Sequence, residues 1–165
     1  MGSRSRRSEP PSLTRRLRNY IFFTDRSIDN ATFADPIIAA GFTLHRFPFR
    51  QNTSDPKWIK HCAERGWIGV SADRKISKKP HEIDAVMMGG AALFVLRTGK
   101  HTNHQILSEN FLRTASKIVE FFETHEAPYI ASVTRPNAKD WEKGKPGGVR
   151  MWRSYEDWRS HRHHR

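Results

Sequence analysis

The chain has 165 residues, with 29 lysines and arginines against 17 aspartates and glutamates, and a formal net charge of +12. This length predicts one domain with a single hydrophobic core. The single cysteine excludes an internal disulfide and a zinc site built on several thiolates, and no apolar run reaches the ~18 residues of a membrane-spanning helix. Because no apolar segment follows the basic N-terminus, we expect a soluble, cytoplasmic protein without a secretory signal.

The positive charge is concentrated at the two ends of the chain. Residues 1–19 carry a net charge of +5 and residues 135–165 another +5, whereas residues 20–134 carry only +2. Cationic segments attract anionic polymers, chiefly nucleic acid, although charged tails also simply keep a protein in solution. We therefore predict a basic, disordered N-terminal extension over 1–19, a folded domain over 20–134 and a basic, aromatic C-terminal tail over 135–165.

Short apolar runs alternate with helical patterns along the domain. This alternation is typical of a parallel α/β sheet, in which functional groups gather beyond the carboxyl ends of the strands. Asp35-Pro36 offers an alternative start for the first helix, and Pro128 suggests that the last strand lies at an edge. The predicted elements are strand 20–24, helix 27–40, strand 42–47, helix 55–66, strand 67–71, helix 80–88, strand 91–96, helix 103–124 and strand 128–133.

Three aspartates occupy the positions where the functional site of such a sheet is expected. Asp25 directly follows the first strand, Asp73 follows the third, and Asp55 opens the helix between them. Carboxylates gathered at one edge repel each other unless a cation lies among them, and hard oxygen ligands of this kind suit Mg²⁺ or Mn²⁺. The alternative is that each aspartate only caps a turn or a helix, as aspartates commonly do.

Three motifs also resemble those of a known family. They are Ile-Phe-Phe-Thr-Asp-Arg-Ser at 21–27, Ser-Asp-Pro-Lys-Trp-Ile at 54–59 and Gly-Trp-Ile-Gly-Val-Ser-Ala-Asp-Arg-Lys-Ile at 66–76. In this order and spacing they resemble the PIN-like domain family and, more narrowly, the VapC-type ribonuclease toxins of bacterial toxin–antitoxin pairs. The resemblance covers about residues 20–133. It implies a three-layer α/β/α fold around a mostly parallel sheet of about four to five strands.

The resemblance implies a metal-dependent endoribonuclease that hydrolyses RNA phosphodiesters with Mg²⁺ or Mn²⁺. Carried over position by position, Asp25, Asp55 and Asp73 would be catalytic acids that bind the metal. Glu82 is the expected fourth catalytic acid, and Asp84 is its rival, because residues two apart do not share a helix face. The alternative function is a catalytically inactive PIN-like scaffold that binds RNA or a partner protein.

Other residues near these acids are candidates for binding the substrate. Ser71 matches the serine or threonine that precedes the last acid in the family, and it would fix a carboxylate or a water on the metal. Basic side chains near the acids suit a phosphate backbone, although an ordinary solvated loop has the same composition. The basic candidates are Arg26, Arg74, Lys75, Lys78 and Lys79.

The remaining chemically active side chains have simpler interpretations. Cys62 lies on the apolar face of a predicted helix, so we expect it in the core rather than as a nucleophile. Histidines are expected to be solvated, namely His101 and His104 after the fourth strand and His161, His163 and His164 in the tail. The aromatic residues of the tail would stack on unpaired bases, or dock onto the domain or onto a partner. For the family that partner is a cognate antitoxin, and formation of a homodimer is also common.

Overall fold

The computed structural model describes residues 16–48, 54–97, 99 and 102–162. Most of the predicted N-terminal extension, with its predicted disorder, lies outside the described residues. The same is true of His101, His163 and His164. No helix within the described ranges combines the length and the apolar character needed to cross a bilayer.

The described residues form alternating strands and helices in the predicted order, followed by further elements. The strands are β1 Ile21–Thr24, β2 Thr43–His45, β3 Ile68–Ser71, β4 Ala92–Leu96, β5 Tyr129–Thr134 and β6 Gly148–Ser154. The helices are α1 Ala31–Ala39, α2 Asp55–Glu64, α3 Pro80–Gly89, α4 His104–Thr124, α5 Ala138–Glu142 and α6 Tyr155–Arg162. Short 3₁₀ turns follow β1 and β3, at Arg26–Ile28 and Ile76–Lys78.

The first helix begins at Ala31, neither at residue 27 nor at Asp35. Asn30 supplies the N-cap, because its side-chain oxygen accepts a hydrogen bond of 2.9 Å from the amide of Phe33. Pro36 therefore lies inside the helix. The residues before Ala31 are taken up by the 3₁₀ turn that Asp25 caps.

In the described part of the chain the strands form one sheet in the order β2-β1-β3-β4-β5-β6. The first five strands are parallel, and β6 pairs antiparallel with β5. The predicted fold class is confirmed, with six strands rather than four to five. The prediction that the strand after Pro128 lies at an edge is wrong, since β5 lies between β4 and β6. Pro128 precedes β5 and therefore removes no hydrogen bond from its ladder.

Helices cover both faces of the sheet. Because successive side chains of a strand point to opposite faces, the neighbours Phe22 and Phe23 belong to different core clusters. On one face β1, β3, β4 and β5 pack against α1 and α4, and we call this the α1–α4 face. On the other, the α2–α3 face, they pack against α2, α3 and α6. The result is the three-layer α/β/α arrangement.

The segment expected as a separate tail contributes to this architecture. Strand β6 pairs with β5, so the sheet continues beyond residue 134. Trp158 of α6 is buried in the core of the α2–α3 face, and Trp152 of β6 packs against the same core. Trp152 and Trp158 therefore dock onto the domain itself, which is one of the roles considered for the aromatic residues of the tail.

Gly69 of β3 leaves room for the side chain of Phe23 on the neighbouring strand β1. A Cβ atom there would lie 2.7 Å from Phe23 Cζ and 2.9 Å from Leu93 Cδ1. Because these contacts are too short, we expect Gly69→Ala to lower the free energy of unfolding by about 1–3 kcal/mol. Gly99→Ala is the control, since its nearest neighbour would be 4.0 Å away. Urea denaturation measures both variants, and equal stabilities would contradict this packing.

Candidate active site

The parallel strands β1 and β3 end at the same edge of the sheet, and the predicted acids lie along it. Asp25 directly follows β1, and Asp73 lies two residues after β3. Asp55 is the first residue of α2, and Glu82 lies in the first turn of α3. Helix α2 is anchored to the end of β1, because the Trp58 indole nitrogen donates a hydrogen bond of 2.9 Å to the Thr24 carbonyl.

The carboxylate of Asp25 is fixed by the turn that follows β1. It accepts hydrogen bonds from the amide of Ser27, at 3.0 Å, and from the hydroxyl of Ser27. Burial raises the pKa of Asp25, hydrogen bonds from Ser27 and Ser71 partly oppose this rise, and the negative charge of Asp55 adds to it. Asp25 is thus held in one orientation and lies near a second carboxylate.

Two serine hydroxyl groups connect the ends of β1 and β3. The Ser27 hydroxyl accepts a hydrogen bond of 2.9 Å from the amide of Ala72 and lies 3.3 Å from the Ser71 hydroxyl. The Ser71 hydroxyl in turn accepts a hydrogen bond of 3.2 Å from the amide of Asp73. Ser71 is fully buried, so it positions the aspartates and is separated from any chain bound at the surface. This position agrees with the implied role of Ser71 in fixing a carboxylate, but it does not support its place among the candidates for binding the substrate.

The sequence analysis missed Ser27. Its signal is the spacing Asp-x-Ser directly after an apolar strand, because an aspartate at a strand end commonly accepts hydrogen bonds from groups two residues later. Ser27 donates two hydrogen bonds to Asp25 Oδ1 in this way, one from its amide and one from its hydroxyl. Its link to Ala72 depends on strand pairing and has no local sequence signal.

Asp55 forms an ion pair with a basic residue that we predicted to bind substrate. Arg26 Nε lies 3.0 Å from Asp55 Oδ1. The same guanidinium group lies 4.3 Å from the centre of the Phe47 ring, which holds it by a cation–π contact. One acid of the candidate site is therefore neutralised by Arg26.

Asp73 and Glu82 share a second cation. Lys79 Nζ lies 2.8 Å from Asp73 Oδ2 and 3.6 Å from Glu82 Oε1. Burial raises the pKa of Asp73, but hydrogen bonds from Lys79 and from the Lys75 amide outweigh this and leave the pKa below its ordinary value. Burial also raises the pKa of Glu82, and the negative charges of Asp73 and Asp25 raise it further against the opposing effect of Lys79.

Asp84, the rival of Glu82, points to a different part of the protein. Its Oδ1 accepts a hydrogen bond of 2.8 Å from the indole nitrogen of Trp158 in α6. Glu82, two residues earlier, shares Lys79 with Asp73 instead. The two carboxylates thus lie on different faces of α3, and only Glu82 borders the candidate site.

Asp25, Asp55 and Asp73 were predicted to form one set of metal ligands. The structure does not gather them into such a set. In the part of the chain that is described, no three histidine, cysteine, aspartate or glutamate side chains lie close enough to hold one ion. The physical reason is that Arg26 and Lys79 each bind one of the acids. The donor chemistry still fits a hard divalent cation, because neighbouring carboxylates raise the pKa of both Asp25 and Glu82.

The other predicted substrate-binding residues lie at the same edge. Arg74 donates a hydrogen bond of 2.9 Å to the carbonyl of Gly99. Lys75 and Lys78 are exposed, and within the described ranges neither forms an ion pair. Their contact with a substrate stays a prediction.

Cys62 offers no nucleophile at this edge, and His104 contacts the cap of α1. Cys62 is fully buried in the core of the α2–α3 face, and burial raises the pKa of its thiol to about 12. A thiol in such surroundings does not form the reactive thiolate at neutral pH. His104 Nδ1 lies 3.1 Å from the side-chain nitrogen of Asn30, the residue that caps α1.

Comparison with known proteins places the chain in a family. The model of the PIN-like domain matches residues 7–98, more than half of the chain, so this chain belongs to the PIN-like domain family. This match confirms the predicted family, and its span includes all four acids.

A curated relative is more narrowly similar. The chain is 36% identical over 78 residues to "Putative ribonuclease VapC45" of Mycobacterium tuberculosis, an alignment that covers 44% of this chain and 56% of that protein. The chain thus spans about half the length of the curated relative it matches. No solved structure matches the chain.

Proposed function

We propose that this protein is a metal-dependent endoribonuclease that hydrolyses RNA phosphodiesters, and that it acts in the bacterial cytoplasm as the toxin of a toxin–antitoxin pair. The observation that carries the proposal is the set of carboxylates at the carboxyl edge of the sheet, where the charge of Asp55 raises the pKa of Asp25, and the charges of Asp73 and Asp25 raise that of Glu82. Membership of the PIN-like family and similarity to a protein named as a ribonuclease support it. An antitoxin protein would be its regulatory partner.

In this proposal Asp25, Asp55 and Asp73 hold Mg²⁺ or Mn²⁺, and Glu82 is the fourth catalytic acid. The bound cation would supply an activated water and stabilise the charge that develops on the phosphate oxygens. Ser27 and Ser71 keep the Asp25 carboxylate in a fixed orientation, so little reorganisation is needed on binding.

The basic residues have a second role in the same proposal. Arg26 and Lys79 neutralise two acids in the absence of substrate, and each would contact a phosphate oxygen once its carboxylate binds the cation. Arg74, Lys75 and Lys78 would position the RNA backbone beside them. Such contacts supply affinity without reading the base sequence.

The two ion pairs also favour a second candidate function. Because Arg26 neutralises Asp55 and Lys79 neutralises Asp73, these acids need no cation. A non-catalytic PIN-like scaffold that binds RNA or a partner protein would keep such pairs permanently. The two candidates therefore differ in their dependence on metal.

Metal dependence is tested with a labelled single-stranded RNA and a DNA of the same sequence. The nuclease proposal expects cleavage of the RNA with Mg²⁺ or Mn²⁺, and none with a chelator. The scaffold predicts equal RNA binding with metal and with chelator, and no cleavage in either condition. Cleavage of the DNA but not of the RNA would agree with the proposed metal site and contradict RNA as the substrate.

Glu82→Gln and Asp84→Asn form a matched pair, because each removes one carboxylate charge from α3. We expect Glu82→Gln to lower kcat/KM for RNA cleavage about tenfold or more. Asp84→Asn should retain activity and weaken only the hydrogen bond from Trp158, at about 1 kcal/mol of stability or less. Cleavage rates and thermal denaturation measure both effects. Equal losses of activity in the two variants would contradict the assignment of Glu82.

A further inference from the structure

Basic groups of the C-terminal segment continue the candidate site along the α2–α3 face of the sheet. Arg97 follows β4 directly, and with Asp73 and Arg74 it lines a cavity of about 130 Å³. Its Nε donates a hydrogen bond of 3.2 Å to the hydroxyl of Ser132 in β5. Its guanidinium also lies 5.3 Å from the centre of the Trp152 ring in β6. Arg97 thus connects the acids to β6.

Trp152 lies near two guanidinium groups. Arg153 is 4.9 Å from the centre of the same indole ring, on the strand that carries it. Arg153 also lines a second cavity, of about 220 Å³, together with Lys78, Asp157 and His161. Two shared cavities and two ring contacts therefore link Asp73, through Arg97, Trp152 and Arg153, to Lys78 and His161. We call the surface formed by Arg97, Trp152, Arg153, Lys78 and His161 the basic groove.

The basic side chains of the groove lack an ion-pair partner among the described residues. In the portion of the chain that is described, Lys78, Arg97, Arg153 and His161 form no ion pair, although Asp157 lines the same cavity as three of them. Each of the two cavities is lined by two lysine or arginine side chains and one aspartate, and such an excess of positive charge attracts anions. The groove therefore favours an extended anion with several separate charges.

We propose that the basic groove binds the backbone phosphates of single-stranded RNA where the strand passes beyond the carboxylate site. Trp152 is only partly buried, and guanidinium groups beside an accessible aromatic ring are the groups that proteins use for unpaired nucleic acid. The proposal rests on the proposed function, because the strand is the substrate of that site. Strand β6 and helix α6 lie beyond residue 98, where the match to the family model ends. Trp152, Arg153 and His161 of the groove thus lie outside the matched part, whereas Lys78 and Arg97 lie within it.

Arg153→Ala and Lys78→Ala test the groove from two different elements. Arg159→Ala is the control, because Arg159 is an exposed arginine of α6 that lines a different cavity, beside Met87 and Met88. Binding of a fluorescent single-stranded RNA of ~12 nucleotides is followed by anisotropy at several salt concentrations, with chelator present to prevent cleavage. We expect each groove variant to weaken binding about three- to tenfold and to lower the slope of log K against log salt by about 0.7. The control should match the wild type, and Arg153→Lys should restore the slope.

Two outcomes would overturn the proposal. In the first, Arg153→Ala and Lys78→Ala both bind RNA like Arg159→Ala. In the second, RNA binding is unchanged but binding of a polyglutamate peptide falls, which would assign the groove to an acidic protein segment. Lys78 lies in the 3₁₀ turn after β3, outside β6, so its variant remains informative if Arg153→Ala disturbs the packing of β6. Binding is measured separately from cleavage. If the groove variants bind RNA weakly but the protein never cleaves RNA, the nuclease proposal alone is contradicted.

Discussion

Asp25→Asn should abolish RNA cleavage, with an expected loss of about a hundredfold or more in kcat/KM, while the domain stays at least as stable as the wild type. The loss of activity follows from removing the negative charge at the centre of the proposed metal site. Cleavage assays and thermal denaturation of the same preparation measure both properties.

Stability should be retained because Asp25 is an unfavourable place for a charge. Burial raises the pKa of this carboxyl, and the charge of Asp55 raises it further. Asparagine has the same shape and still accepts the hydrogen bond from the Ser27 amide, but it removes both the desolvation of a charge and the repulsion. A residue that lowers stability and is required for activity is the signature of a functional site.

Asp29→Asn is the matched control, four residues further along the chain. Asp29 is almost fully buried and forms an ion pair of 2.8 Å with Arg46. We expect this variant to lose about 1–2 kcal/mol of stability and to keep its activity, the reverse of the result for Asp25→Asn. If Asp25→Asn cleaves RNA at the wild-type rate, the carboxylate edge is not the active site.

Phe111→Ala should remove a large part of the stability of the domain. Phe111 of α4 is fully buried in the core of the α1–α4 face. Its ring meets Phe22, Phe42 and Phe33 edge to face, with ring centres 5.1, 5.7 and 6.2 Å away. Truncation leaves a cavity among these rings, and we expect a loss of about 3–5 kcal/mol from a total of roughly 5–15.

Urea denaturation measures this loss. Phe122→Ala is the control on the same helix, because Phe122 is only partly buried and makes one edge contact with Tyr20, at 5.9 Å. The control should lose clearly less stability than Phe111→Ala. Similar losses for the two variants would mean that the cluster around Phe111 does not dominate this core.

The sequence predicts the parallel part of the fold because its signals are local. The parallel strands β1, β3 and β4 are short apolar runs, and Ala92–Leu96 is buried at every position, as a central strand between two helical layers requires. The antiparallel β6 has no such run, since Arg150 and Arg153 interrupt it. Its place in the sheet depends on pairing with β5, which no local pattern reports.

The sequence predicts the acids of the candidate site much better than it predicts the side chains that bind them. Asp25 and Asp73 follow apolar strands, so the end of each strand marks its acid. The pairing of Asp55 with Arg26, and of Asp73 with Lys79, depends on where side chains meet after folding. The choice between Glu82 and Asp84 likewise required the position of Trp158, 74 residues further along the chain than Asp84.

Anomalous diffraction from crystals soaked in Mn²⁺ tests the central claim most directly. The proposed function predicts a peak bounded by Asp25, Asp55 and Asp73, with Arg26 and Lys79 moved away from their acids. The same map shows whether Glu82 joins the site. An empty edge at millimolar Mn²⁺, with the Arg26–Asp55 and Lys79–Asp73 pairs intact, would contradict the metal site and favour the non-catalytic scaffold.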